Sequence, residues 1–86
     1  MNIIEKPLGN QRQGAVVEVT LQGTESDVFL VDTLNLSKFK RGQDFRYSGG
    51  HYNSSPVRLA IPSAGTWTAV VVPGGGSVSA SFRMVA

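Results

Sequence analysis

The stretch "AVVEVTLQG", Ala15–Gly23, decides the fold class. Val17, Val19 and Leu21 fall on one side and Val16, Glu18 and Thr20 on the other. A period of two carried by β-branched residues is the mark of a pleated strand with one buried face. Gly14 and Gly23 close it at both ends.

Working outward, the same grammar recurs. "SDVFLVDT" follows the short link "GTES", which reads as a hairpin loop. Phe29 and Val31 are expected inward, with Val28 and Leu30 on a partly covered second face. "SPVRLAIPS" puts Val57, Leu59 and Ile61 on one side between Pro56 and Pro62, and prolines at both ends suit an edge strand. "TWTAVVV" and "SVSASFRM", joined by Pro73–Gly76, read as a terminal hairpin with Val78, Ala80, Phe82 and Met84 inward. "DFRYSGG" reads as a short strand, and a weak one is expected near Asn2–Lys6. "TLNLSKFKRGQ", Thr33–Gln43, is the one stretch with room for a helical turn, near 34–41.

Apolar alternation broken by Gly, Pro, Asn and Ser at intervals of about ten residues predicts an all-β domain. The expected architecture is an antiparallel β-sandwich or flattened barrel of about seven short strands, with residues 1–86 forming a single domain. Its core is expected from Val17, Val19, Leu21, Phe29, Val31, Leu59, Ile61, Trp67, Val71, Val78, Ala80 and Phe82. The buried indole of Trp67 needs a hydrogen-bond acceptor that the sequence does not name. Val70 and Val72 face away from this core, so another layer or a second subunit must cover them.

Composition narrows the function. The chain has 86 residues and no cysteine, which excludes disulfides and thiolate metal sites. That absence, and a start lacking a basic, apolar leader, lead to an expected cytoplasmic location. The longest apolar run, Ala69–Val72, is far too short for a membrane span. A net charge of +2 is mild for a nucleic-acid binder, so that partner is disfavoured.

Catalytic and metal chemistry find little support. The single histidine, His51, has serines close by but no nucleophile elbow around it. An ordinary loop histidine is the simpler reading, and no catalytic residue is assigned. Glu25–Asp27 is too sparse in oxygens for a calcium loop. "PGGGS", Pro73–Ser77, lacks the lysine and helix of a phosphate loop, and a turn explains its glycines. No metal ligand and no cofactor is expected.

One surface remains. "SKFKRGQDFRYSGGHYNSSP", Ser37–Pro56, gathers Lys38, Lys40, Arg41, Arg46, Tyr47, His51 and Tyr52. Cationic groups favour phosphate or carboxylate, and aromatic faces suit planar bases or sugars. These seven residues are the candidate ligand-binding set, for a small anionic ligand such as a nucleotide derivative or sugar. The competing reading is architectural, with Phe39, Phe45 and the glycines holding shape and the lysines solvated. The alternative function is a structural or interaction domain, self-associating through the Val70/Val72 face into a homo-oligomer.

The order of four blocks resembles a bacterial family of unknown function, DUF1883. They are D-x-x-N-x-S-x-F/Y-K-x-G at Asp32–Gly42, Y-x-G-G at Tyr47–Gly50, P-V-R at Pro56–Arg58 and P-x-x-G-x-W at Pro62–Trp67. The chain departs at "VVVPGGG", where members often carry an acidic residue. The resemblance implies a small all-β domain without an assigned activity. It also implies an accessory or ligand-sensing role in defence or signalling, with a TIR-domain protein as a partner. It carries over no functional residue, though Asp32 and Asn35 suit side-chain-to-backbone turn bonds.

Overall fold

The computed structural model describes residues 3–85. Among them are β1 (Ile4–Gln11), β2 (Val16–Gly23), β3 (Ser26–Asp32), α1 (Thr33–Lys40), β4 (Ser48–Tyr52), β5 (Val57–Ala60), β6 (Gly65–Pro73) and β7 (Val78–Met84). They form two antiparallel sheets, one ordered β1-β6-β3-β4 and one ordered β5-β2-β7. The all-β, seven-strand, sandwich-like reading of the sequence is the observed fold.

The sheets pack face to face over one core. Val17 and Val19 of β2 are fully buried against Val28 and Leu30 of β3, with Leu59, Ile61, Trp67, Ala69 and Val71 around them. Leu21, Val78, Ala80 and Phe82 are partly buried at its margin. The Trp67 indole donates to the Ser63 carbonyl at 2.8 Å, the acceptor its burial requires.

Several expectations are corrected. "GTES" is no hairpin loop: β2 and β3 lie in different sheets, so Thr24 and Glu25 carry the chain across the sandwich. The terminal pair is no hairpin either, since β6 and β7 also lie in different sheets. The two crossings run side by side. Thr24 N–H donates to Ser77 O at 3.2 Å, and Gly74 N–H donates to Glu25 O at 2.9 Å. Short links with turn residues mark both kinds of connection, which is why composition did not separate them.

The faces of β3 are the reverse of expectation. Val28 and Leu30 stand opposite Val71 and Ala69 and enter the main core. Phe29 and Val31 point to the outer face of the four-stranded sheet, where they meet Val70 in a second cluster. A strand covered on both faces is apolar throughout, so alternation cannot assign its faces. Met84, expected inward, is 39% exposed at the end of β7.

What covers the outer face is α1. The expected single turn is an eight-residue helix, about two turns long. Its Leu36 and Phe39 pack on Phe29, Val31 and Val70, together with Phe45. Val70 is fully buried and Val72 partly so, within one chain. The face proposed for self-association is therefore occupied by the chain's own helix and loop.

The expected strand at "DFRYSGG" starts later. Residues 43–47 have no strand geometry, and the ladder begins at Ser48. Phe45 and Tyr47 turn onto Phe29 instead of extending along β3. β1 is longer than expected and continues to Gln11, with a register shift between Pro7 and Gly9 that accommodates the proline on an edge. Asn2, the expected start of that strand, lies outside the described residues.

Candidate functional site

The site is built where α1 and the 43–47 segment cross the outer face of the four-stranded sheet. Asp32 caps the helix: its Oδ1 accepts from the Asn35 backbone N–H at 2.8 Å and from Asn35 Nδ2 at 2.9 Å. The same Asn35 turns its Oδ1 to the Arg46 backbone N–H at 2.7 Å. The D-x-x-N spacing thus places one side chain that starts the helix and also holds the returning loop. At the other end, Gly42 N–H donates to Phe39 O and Gln43 N–H to Lys38 O, which closes the helix and turns the chain back.

That clamp stacks four rings. Phe29 forms the floor, 5.6 Å from Phe39, 5.7 Å from Phe45 and 5.4 Å from Tyr47, centroid to centroid. Phe45 lies between Phe39 and Tyr47, at 5.1 and 5.4 Å. These separations are those of favourable edge and tilted aromatic pairs. Gly49 stands opposite Phe29 in the ladder at φ 148°, and a Cβ there would collide with the Val28 carbonyl oxygen. Glycine is therefore required for β4 to lie this close to β3.

Beside the rings lies a concavity of about 360 Å³. Phe29, Phe39, Phe45, Tyr47 and Val72 supply apolar surface, and Asp27, Gly50 and His51 supply its polar rim. The volume is that of a small-ligand pocket. Tyr47 is 57% exposed, which leaves much of its ring open to a ligand or to solvent.

Asp27 and His51 are direct cross-strand partners on β3 and β4. His51 Nδ1 lies 2.7 Å from Asp27 Oδ1, and Nε2 lies 3.6 Å from Glu25 Oε2. The Asp27 carboxylate raises the histidine's pKa above its ordinary value; desolvation opposes this, and Glu25 adds to it. Both ring nitrogens face carboxylates. Asp27 holds Nδ1 in a hydrogen bond, while Nε2 stands beyond hydrogen-bond distance of Glu25.

The seven residues singled out from the sequence do not share one place. Tyr47 and His51 line the aromatic concavity. Lys38 and Arg46 line a neighbouring depression with Leu34, Asn35, Asp44 and Phe45. Phe45 is the wall common to both. Lys40 is turned the other way, its Nζ 3.1 Å from Glu5 Oε1 on β1. Arg41 sits at the C-terminal cap of α1 and lines neither hollow. Tyr52 packs against the main core between the sheets.

Asp27, Phe29 and Val72 were not on the sequence-derived list. Their approach is a property of sheet order: β3 lies between β6 and β4, so its odd-numbered residues share a face with both neighbours. Strand adjacency is not written in local alternation. Among the described residues, no group of three or more His, Cys, Asp or Glu side chains is arranged to hold a metal ion. Nor is any helix there long and apolar enough to cross a membrane.

Compared with known families, residues 2–86 match the one described as "Domain of unknown function (DUF1883)". No curated protein and no solved structure gives a significant match.

Proposed function

The chain is a member of the DUF1883 family, and from that premise we propose a non-enzymatic binding module for a small anionic ligand that carries a planar ring. The observation that carries this reading is the shared wall. Phe45 has the aromatic concavity on one side and the Lys38/Arg46 depression on the other. A ring packed on Phe45 and Tyr47 would lie against the wall that borders the depression with the two cations. Aromatic stacking is tolerant of ring type, and charge-assisted hydrogen bonds select the acid.

Nucleotide derivatives fit this pairing of ring and acid better than acidic sugars do. They also suit a ligand-sensing role in the bacterial cytoplasm, beside the TIR-domain partners that the family resemblance implies.

Calorimetry with adenosine monophosphate, glucuronate and inorganic phosphate tests the proposal. Adenosine monophosphate is expected to bind, more tightly than either of the others. A Lys38→Ala/Arg46→Ala double variant should weaken it by about tenfold or more, since each charged hydrogen bond contributes about 1.5–3 kcal/mol. Absence of binding to all three probes, or equal affinity in the double variant, overturns the reading.

A further inference from the structure

Among the described residues the sandwich has four edge strands, and three are blunted against pairing with another chain. β1 carries Lys6, Pro7 and a register shift. β5 has only four residues and stands between Pro56 and Pro62. β4 has five residues, two of them glycine. Such features are what keep sheet edges from templating new strands. β7 has none of them: seven residues, no proline, no glycine and no register shift against β2.

Its single charge is also accounted for. Arg83 Nε donates to Glu18 Oε1 at 2.9 Å, while Arg58 Nη2 holds Glu18 Oε2 at 2.9 Å. Glu18 is 7% exposed and Arg83, though its side chain is 72% exposed, is paired with it, so no unpaired charge guards this edge.

The phase of the ladder can be read from its ends. Val85 N–H donates to Val16 O, and Thr24 N–H donates to Ser77 O. Odd-numbered residues of β7 therefore exchange bonds with β2, because hydrogen-bonded and non-hydrogen-bonded pairs alternate. The N–H and C=O groups of Val78, Ala80, Phe82 and Met84 point outward along the free edge. Among the described residues no strand pairs with them. The side chains of Val78, Ala80 and Phe82 are only partly buried, whereas Val17 and Val19 on the adjacent strand are completely covered.

We infer that β7 pairs antiparallel with β7 of a second copy of this chain about a two-fold axis at Ser81, joining two three-stranded sheets into one of six strands. This register sets Ala80 opposite the partner's Phe82 and Val78 opposite the partner's Met84. Every outward N–H and C=O of the four even-numbered residues then finds a partner. On the core side a large side chain meets a small one. On the other face Ser81 meets its own copy and Arg83 meets Ser79, so no like charges are opposed. The surface lies on the three-stranded sheet, away from the aromatic concavity, and the inference does not depend on the proposed ligand.

The chain has no cysteine, which makes the register testable by cross-linking. Ser81→Cys places two thiols in a non-hydrogen-bonded antiparallel pair, within disulfide reach. Ser79→Cys places its two thiols four residues out of register, beyond reach. Mild oxidation should link Ser81→Cys into a covalent dimer and leave Ser79→Cys unlinked. In sedimentation of the cysteine-free protein, dimer should appear as concentration rises from micromolar to millimolar. Ala80→Pro removes an outward N–H while leaving the β2 ladder intact. It should abolish the dimer, with a folded monomer confirmed by circular dichroism. A strict monomer throughout that range, equal cross-linking of both cysteine variants, or a dimer that survives in folded Ala80→Pro overturns the inference.

Discussion

His51 sits between two carboxylates on an open rim, and its charge state should follow pH in a definite direction. Its folded pKa is raised above the ordinary value of 6.5, mainly by Asp27. The contribution to stability is thus fully present below the unfolded pKa and is lost as pH rises through the folded one. Urea midpoints of the wild type should decline as pH climbs above about 6.5. Asp27→Asn should flatten that decline, and the imidazole resonances should titrate at lower pH in the variant. Equal profiles for the two proteins would show that the pair carries no charge coupling. Asp27 and His51 are 24 positions apart, so nothing local in the sequence joins them; only the pairing of β3 with β4 does.

At the scale of elements, the central strand alternation of β2 was legible because one face is buried and the other carries Glu18 and Thr20. β6 was legible as a strand and in its faces, with Val70 and Val72 opposite Trp67, Ala69 and Val71, whereas β3 was legible as a strand but its faces were not. Their runs VFLV and AVVV are apolar on both sides because each side meets a layer, the second sheet on one and α1 on the other. The helix itself was underestimated. It lacks a long apolar stripe and contains no fully buried residue. Its stability comes from the Asp32 cap and from Leu36 and Phe39 on the sheet, which are tertiary facts. Asn35 is the joint between this helix and the loop that forms the concavity. Asn35→Ala removes the bond to Arg46 N–H and should cost about 1 kcal/mol in chemical unfolding. It should also increase amide exchange across residues 43–47 while leaving β2 and β6 protected. Unchanged exchange in that segment would mean that ring stacking alone holds it.

At the scale of the whole molecule, two apolar layers lie on the two faces of one four-stranded sheet. The inner layer is the sandwich core. The outer one is small, roofed by α1 and Phe45, and its open margin forms the concavity. The cationic clustering in the sequence was a sound guide to this region, but proximity in sequence overstated convergence in space. Lys38 and Arg46 line one hollow, Tyr47 and His51 line the other, and Lys40, Arg41 and Tyr52 are drawn elsewhere by Glu5, the helix cap and the core. Helical and strand geometry disperse neighbouring side chains by fixed angles, which a count of residue types does not capture.

The most direct measurement of the central claim is a two-dimensional NMR titration of the labelled protein with adenosine monophosphate. Saturable shifts are predicted at Lys38, Phe45, Arg46, Tyr47 and His51, with Ser79, Ser81 and Arg83 on the opposite sheet unmoved. Shifts confined to that opposite sheet, or no saturable shift around Phe45, would contradict the account.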